Sequence, residues 1–186
     1  MATIRQAVFP SDGATVRRLF DAYVAFLCGR APAEVVSAIL SKYPEEGRAA
    51  AVAEFAELHM PPSGALLLVE VEGAAIGCGM MRRLGPGIAE LQRIYVGPDG
   101  RGRGLGRALT LALIDAARAT GAEIVRLDTG GPLVEAISLY TALGFREVPA
   151  YHDAYPDLQP HLKFFELRLT DMAAASLLSP SPSPPP

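Results

Sequence analysis

Residues 101–107 read Arg101-Gly102-Arg103-Gly104-Leu105-Gly106-Arg107, between an apolar stretch ending at Val96 and a long run with helical spacing. Glycines this close together let backbone N–H groups converge on an anion, because no Cβ stands in the way. A helix starting here aims its unpaired N–H groups and the positive end of its dipole at the same point. Arg101, Arg103 and Arg107 add charge and can fork onto phosphate oxygens. Physically the stretch is a diphosphate cradle. A Walker A loop would need Gly-Lys-[Ser/Thr], and no lysine is present. A dinucleotide-binding fold would place its glycines at the first strand-to-helix turn, with an acidic residue at the ribose-binding distance, and neither condition is met. Taken alone, the three glycines also suit a solvated turn.

Upstream, Leu66 to Val71 is a short apolar run, Glu72-Gly73 a tight-turn signal, and Ala75 to Leu84 a second strand. Gly85-Pro86-Gly87 turns the chain into a third strand, Ile88 to Val96. Three strands joined this tightly form an antiparallel meander. Before them, Thr3 to Val8 alternates as a strand, and Asp12 is placed to N-cap a helix carrying Val16, Leu19, Phe20, Tyr23, Phe26 and Leu27. Residues 32–59 hold two weaker helical patterns separated near Pro44, the second with Val52, Phe55, Ala56 and Leu58 on its apolar face.

Downstream of the cradle, Leu105, Ala108, Leu109, Ala112, Leu113 and Ala116 mark a helix that Gly121 closes. Ile124 to Leu127 is a strand. A helix follows, with Pro132 at its first position, and Gly144 ends it. Phe145 to Val148 and Leu162 to Leu169 are the last strands, joined by a loop holding Tyr151, His152 and Tyr155. The expected architecture is α/β (α+β): a mixed, mostly antiparallel sheet flanked by helices, in the order β-α-α-β-β-β-α-β-α-β-β. Residues 1–170 are expected to be one domain. Residues 171–186 close on five prolines and three serines in the last eight positions and are expected to be disordered.

At 186 residues, with 50% hydrophobic and 20% charged residues, the chain can build one core. A net charge of −3 gives nucleic acid little to attract. Cys28 and Cys78 lack CxxC spacing, and His59, His152 and His161 are scattered, so neither a disulfide framework nor a metal site is expected. No apolar run nears the roughly 18–20 residues of a membrane span, and no signal-peptide core follows Met1. A cytoplasmic protein is expected.

The cradle resembles the Arg-x-x-Gly-x-Gly acetyl-CoA-binding motif of the GCN5-related N-acetyltransferases. Two flanking stretches extend the resemblance. Glu90-Leu91-Gln92-Arg93-Ile94-Tyr95-Val96-Gly97-Pro98 looks like that family's central strand. Ala136-Ile137-Ser138-Leu139-Tyr140-Thr141-Ala142-Leu143-Gly144-Phe145 looks like its second signature, about 35 residues beyond the cradle. With the element order, the match covers residues 3–169. One departure is Leu133, where many members carry an asparagine that touches the cofactor.

The resemblance implies a fold with a splayed central strand pair and acetyl-CoA as co-substrate, with no metal. The backbones of Ile94, Tyr95 and Val96 would bind the pantetheine arm, with a strand N–H near Val96 holding the oxyanion. Arg101, Gly102, Arg103, Gly104, Leu105, Gly106 and Arg107 would bind the pyrophosphate. Glu90 would be the general base, with a solvated strand carboxylate as the plain alternative. Tyr140 would be the general acid, with a core aromatic as its alternative. An alkyl ammonium, with a pKa of about 10.4, must lose a proton before it attacks a thioester. The implied activity is acetyl transfer to a primary amine of a small molecule, an amino acid or a peptide. A non-catalytic acyl-CoA sensor and a protein N-terminal acetyltransferase are the alternatives. The implied partner is an amine substrate, with a homodimer left open. Arg82, Arg83 and Arg93 offer cations on the meander, one of which could hold an acceptor carboxylate.

Overall fold

The computed structural model describes residues 1–170, and the disorder expected for residues 171–186 lies outside them. A seven-stranded sheet runs through the fold: β1 (Ala2–Gln6), β2 (Gly64–Val71), β3 (Ala74–Gly85), β4 (Ile88–Val96), β5 (Ile124–Gly130), β6 (Arg146–Val148) and β7 (Leu162–Arg168). Its spatial order is β1-β2-β3-β4-β5-β7-β6, and the β4–β5 pair alone is parallel. The meander read from the sequence is therefore β2-β3-β4. Its first turn has positive φ at Glu72 (52°) and Gly73 (81°), the backbone of a two-residue hairpin.

Three helices cover one face: α1 (Gly13–Arg30), α2 (Ala33–Lys42) and α3 (Arg48–Leu58). The expected element order had one helix fewer, while the two helical patterns expected over residues 32–59 are both present, divided by Pro44 and a short 3-10 turn. Val16, Leu19, Phe20, Val35, Ile39 and Phe55 pack there on Leu66, Leu68, Cys78 and Met80. Helical spacing puts Leu58 on that apolar face, but Leu58 is exposed and the next residue, His59, is buried. On the other face, α4 (Leu105–Ala119) lays Leu109, Leu113 and Ile114 on Met81, Leu91, Val125 and Leu127. Burying each such side chain is worth about 1.5–3 kcal/mol, so both helical layers are held mainly by their sheet-facing rows. The last helix, α5 (Val134–Ala142), joins the α4 face through Tyr140.

Two helix starts differ from expectation. Asp12 occupies the N-cap position of α1 without making the cap bond. Its carboxylate instead takes Arg5 Nη1 and Nη2 at 2.6 and 3.0 Å and the Val8 N–H at 2.8 Å. A charge-assisted fork outcompetes a helix amide. Pro132 precedes α5 by two residues, because Leu133 takes the N-cap position. Among the described residues no helix is long and apolar enough to cross a membrane.

Candidate active site

The parallel ladder between β4 and β5 has three rungs: Ile88↔Ile124, Ala89↔Val125 and Glu90↔Arg126. Beyond Glu90 and Arg126 the strands part. Antiparallel strands continue on the outer sides, so β4 still pairs with β3 to Val96 and β5 with β7 to Gly130. The result is a wedge with a strand edge on each wall. A bulge sharpens it: Arg93 and Ile94 together oppose Gly79, and Arg93 takes φ 50°. Bulged strands bend and re-aim their side chains.

The cradle closes the wide end of that wedge. Gly102 and Gly104 have φ of 71° and 72°, a left-handed backbone that glycine adopts without strain. Gly104 is the N-cap of α4, no side chain caps the helix, and the first intrahelical bond runs from Ala108 N–H to the Gly104 carbonyl. The amides of the first turn are thus left free of intrahelical partners. Arg101 lies over the Phe26 ring at 5.0 Å, and Arg103 turns back toward the Asp99 carbonyl at 3.5 Å. Arg101, Arg103 and Arg107 have no ion-pair partner among the described residues.

A cavity of about 470 Å³ runs from the cradle into the wedge. Of the sequence-derived residues, Ile94, Tyr95, Val96, Arg101, Gly102, Gly104, Leu105, Gly106, Arg107 and Tyr140 line it, and Arg103 and Glu90 do not. Tyr140 is buried beside Phe145 and Phe165, with ring centroids 5.8 and 6.3 Å away. Its hydroxyl has no hydrogen-bond partner among the described residues. Burial, with the nearby Asp128 carboxylate adding to it, pushes that hydroxyl well above the ordinary tyrosine range. It therefore holds its proton through neutral pH.

Glu90 belongs to a different neighbourhood. It is 2% exposed, so the solvated-carboxylate alternative is excluded. Its Oε2 accepts Arg82 Nε and Nη2 at 3.1 and 3.0 Å and the Gln92 amide at 2.5 Å, while Tyr151 donates to Oε1 at 3.2 Å. Gln92 Oε1 in turn takes Arg93 Nη1 at 2.7 Å and lies 3.2 Å from His59 Nε2. Burial, the leading cause, holds His59 down at about 4, with the Arg93 and Arg82 charges adding to it and the Gln92 contact opposing. Burial likewise raises Tyr151, with the Glu90 charge adding to it. A second cavity of about 450 Å³, walled by α1, α2 and the segment before β7, and a third of about 190 Å³ beside Glu90 share Lys42 and Asp128. Among the described residues no group of three or more histidine, cysteine or acidic side chains is placed to hold a metal ion.

The profile of the acetyltransferase (GNAT) family matches residues 33–145, more than half of the chain. The chain belongs to the GNAT acetyltransferase family. An uncharacterized N-acetyltransferase of Schizosaccharomyces pombe is 37% identical over 101 residues, 53% of this chain and 62% of its own length. A mycothiol acetyltransferase of Pseudarthrobacter chlorophenolicus is 38% identical over 119 residues, 60% of this chain and 37% of its own. The chain thus spans less than two thirds of these relatives. The crystal structure of PaiA N-acetyltransferase from Thermoplasma acidophilum, in complex with coenzyme A, shares the fold with a TM-score of 0.67 at 18% identity. It covers 90% of this chain and 99% of that one.

Within this GNAT fold one carboxylate stands out that the motifs left unassigned. Asp128 on β5 is partly buried and lies two residues beyond the last rung of the ladder. Its carboxylate makes no hydrogen bond or ion pair among the described residues, yet its charge acts on Tyr140, Tyr23 and Tyr151. The strand period supplied the available signal: Arg126 and Asp128 share a face, so Asp128 must point to the same side as Glu90. Among the other candidates, Cys78 is buried and pushed up to about 12 by burial, which leaves it an inert thiol. His152 reaches the third cavity, stacked edge-on against Tyr151 and Phe164.

Proposed function

We propose that this GNAT chain, with residues 1–170 as its single folded unit, transfers an acetyl group from acetyl-CoA to a primary amine. The observation that carries the reading is the placement of Tyr140 and the Arg101–Arg107 cradle on one cavity, at the open end of a parted strand pair. The residues fit a diphosphate thioester: positive-φ glycines, uncapped helix amides and arginines without ion-pair partners converge on one end. The complex of the Thermoplasma relative with coenzyme A supports the same ligand here. Gly102, Gly104, Gly106, Arg101 and Arg107 would hold the diphosphate, Arg103 would close over it from outside, and the free edge of Ile94, Tyr95 and Val96 would hold the pantetheine arm.

Acetyl-CoA supplies an activated acyl carbon. The chain supplies the proton movements. Asp128 takes a proton from the acceptor ammonium, freeing the nitrogen lone pair to form the carbon–nitrogen bond. As the tetrahedral adduct collapses, Tyr140 gives its proton to the departing sulfur while the carbon–sulfur bond breaks. The nitrogen sheds its second proton to solvent, and solvent reprotonates Tyr140 and takes the proton held by Asp128. Charge and crowding favour Asp128 over Glu90 as the proton acceptor, because Arg82, Gln92 and Tyr151 already occupy the Glu90 oxygens. Glu90 then positions Tyr151 and Gln92.

Release of free CoA thiol from acetyl-CoA, measured against a panel of amines and N-terminal peptides, tests the activity and separates small-molecule from peptide acceptors. Turnover with at least one primary amine is expected. Tight CoA binding with no turnover on any acceptor would instead mark a non-catalytic sensor.

A further inference from the structure

The third cavity holds two cations, Lys42 and Arg93, that the proton movements of the transfer reaction do not use. Arg82 and Glu90 neutralise each other. Of the remaining charges lining the cavity, Lys42, Arg93 and Asp128 have no ion-pair partner among the described residues. Arg93 is an unusual cation. The bulge turns its guanidinium over the Phe55 ring at 4.6 Å, and its Nε is buried with no hydrogen-bond partner. Lys42 Nζ rests 3.7 Å from the Tyr155 ring centroid. His152 Nδ1 in the same wall is also buried without a partner. Two half-buried cations without an ion-pair partner thus line one recess, a setting that favours a bound anion.

The second cavity has the opposite chemistry. Leu27, Val35, Ile39, Leu158 and Leu162 give it an apolar wall. Lys42 and Asp128 stand where the two cavities meet. One small molecule can satisfy all three environments: an ammonium at Asp128, a carboxylate toward Arg93 and Lys42, and an apolar side chain in the larger cavity.

We infer that the acceptor is a free α-amino acid with an apolar side chain, its carboxylate held by Arg93 and Lys42. This rests on the acetyltransferase reading above and goes further by specifying the acceptor. The carboxylate contacts turn the amine toward Asp128, so an amine lacking the anion loses orientation as well as affinity. Arg93 and Lys42 are specificity residues rather than members of the proton path.

Three acceptors with one side chain test it: leucine, leucinamide and 3-methylbutylamine, compared by kcat/KM with acetyl-CoA. Leucine is expected to exceed both others by about tenfold or more, the worth of one charge-assisted contact. In Lys42→Gln and Arg93→Gln the ratio of leucine to 3-methylbutylamine is expected to fall toward one. A general structural defect would lower both acceptors together and leave that ratio intact, which would overturn the assignment. So would equal rates on all three acceptors in the wild type, an outcome that leaves acetyl transfer itself standing. No turnover on any of them would overturn the amino-acid assignment. The wider amine panel and calorimetric CoA binding would then show separately whether the transferase reading survives.

Discussion

Glu90 and Arg126 face each other as the last rung of the β4–β5 ladder, yet neither bridges to the other. Glu90 pairs sideways with Arg82 at 3.0 Å, and Arg126 pairs the other way with Glu166 at 3.0 Å. Each ion pair ties its strand to the antiparallel neighbour on the outer side. The two strands are therefore held apart from outside, and the wedge between them is a built feature of the sheet. Everything assigned to the site depends on that parting.

Tyr140→Phe keeps the ring packed against Phe145 and Phe165 and removes only the hydroxyl. It is expected to lower kcat by roughly 10²–10⁴ with little change in KM for acetyl-CoA. Steady-state thiol release checks this, and an unchanged kcat would reduce Tyr140 to a packing residue.

Asp128→Asn and Glu90→Gln should separate chemistry from architecture. Asp128 has no partner to lose among the described residues, so its variant is expected to keep its melting temperature and lose about 10²–10⁴ in kcat. Glu90→Gln strips the carboxylate from Arg82 and Tyr151 and is expected to cost about 1–3 kcal/mol of stability, with a smaller effect on rate. The reverse pattern in paired melting and rate measurements would hand the proton to Glu90.

Stability should fall as pH falls through a window set by His59. Folded, its imidazole titrates near 4, against 6.5 for the free side chain. Between those values the unfolded chain takes up a proton that the folded chain refuses, so acid favours unfolding. The full difference is on the order of 3 kcal/mol. Urea midpoints taken from about pH 7 down to about pH 4.5 should drop in the wild type and drop less in His59→Gln. Parallel curves would show that His59 is not the group responsible.

Two glycine substitutions in the cradle should part folding from binding. Gly104→Ala forces a left-handed backbone on alanine and is expected to lose about 1–2 kcal/mol along with CoA affinity. At Gly106, inside the first turn of α4, a Cβ would meet only Leu139 at 3.9 Å. Gly106→Ala is therefore expected to fold as well or better, by up to about 1 kcal/mol, while its methyl group stands over the cradle and weakens CoA binding. Undiminished CoA affinity in both variants would remove these amides from the site.

What could be read from the sequence follows from what local chemistry controls. The strand from Ile88 to Val96, the cradle and the helix after it were legible because glycine spacing and apolar period dictate them without help from the rest of the chain. The wedge itself came only from the family resemblance. The bulge at Arg93 was not legible, since nothing local distinguishes a left-handed arginine from one that simply alternates. Its stacking against Phe20, Tyr43 and Phe55 depends on segments more than 35 residues upstream. The role proposed for Asp128 was not legible for a related reason: the strand read from the sequence stops at Leu127, and nothing local shows that the neighbouring strand leaves Asp128. Leu58 and His59 exchanged places because α3 ends there and the periodicity stops with it.

The most direct measurement titrates the wild-type chain with CoA and with pantetheine in a calorimeter. One site with clear heat for CoA, weakened by added salt and by Arg101→Ala, is expected, with pantetheine binding far more weakly because it lacks the diphosphate. Equal binding of the two, or no heat with CoA, would mean that the start of α4 grips no diphosphate, contradicting the assignment at its base.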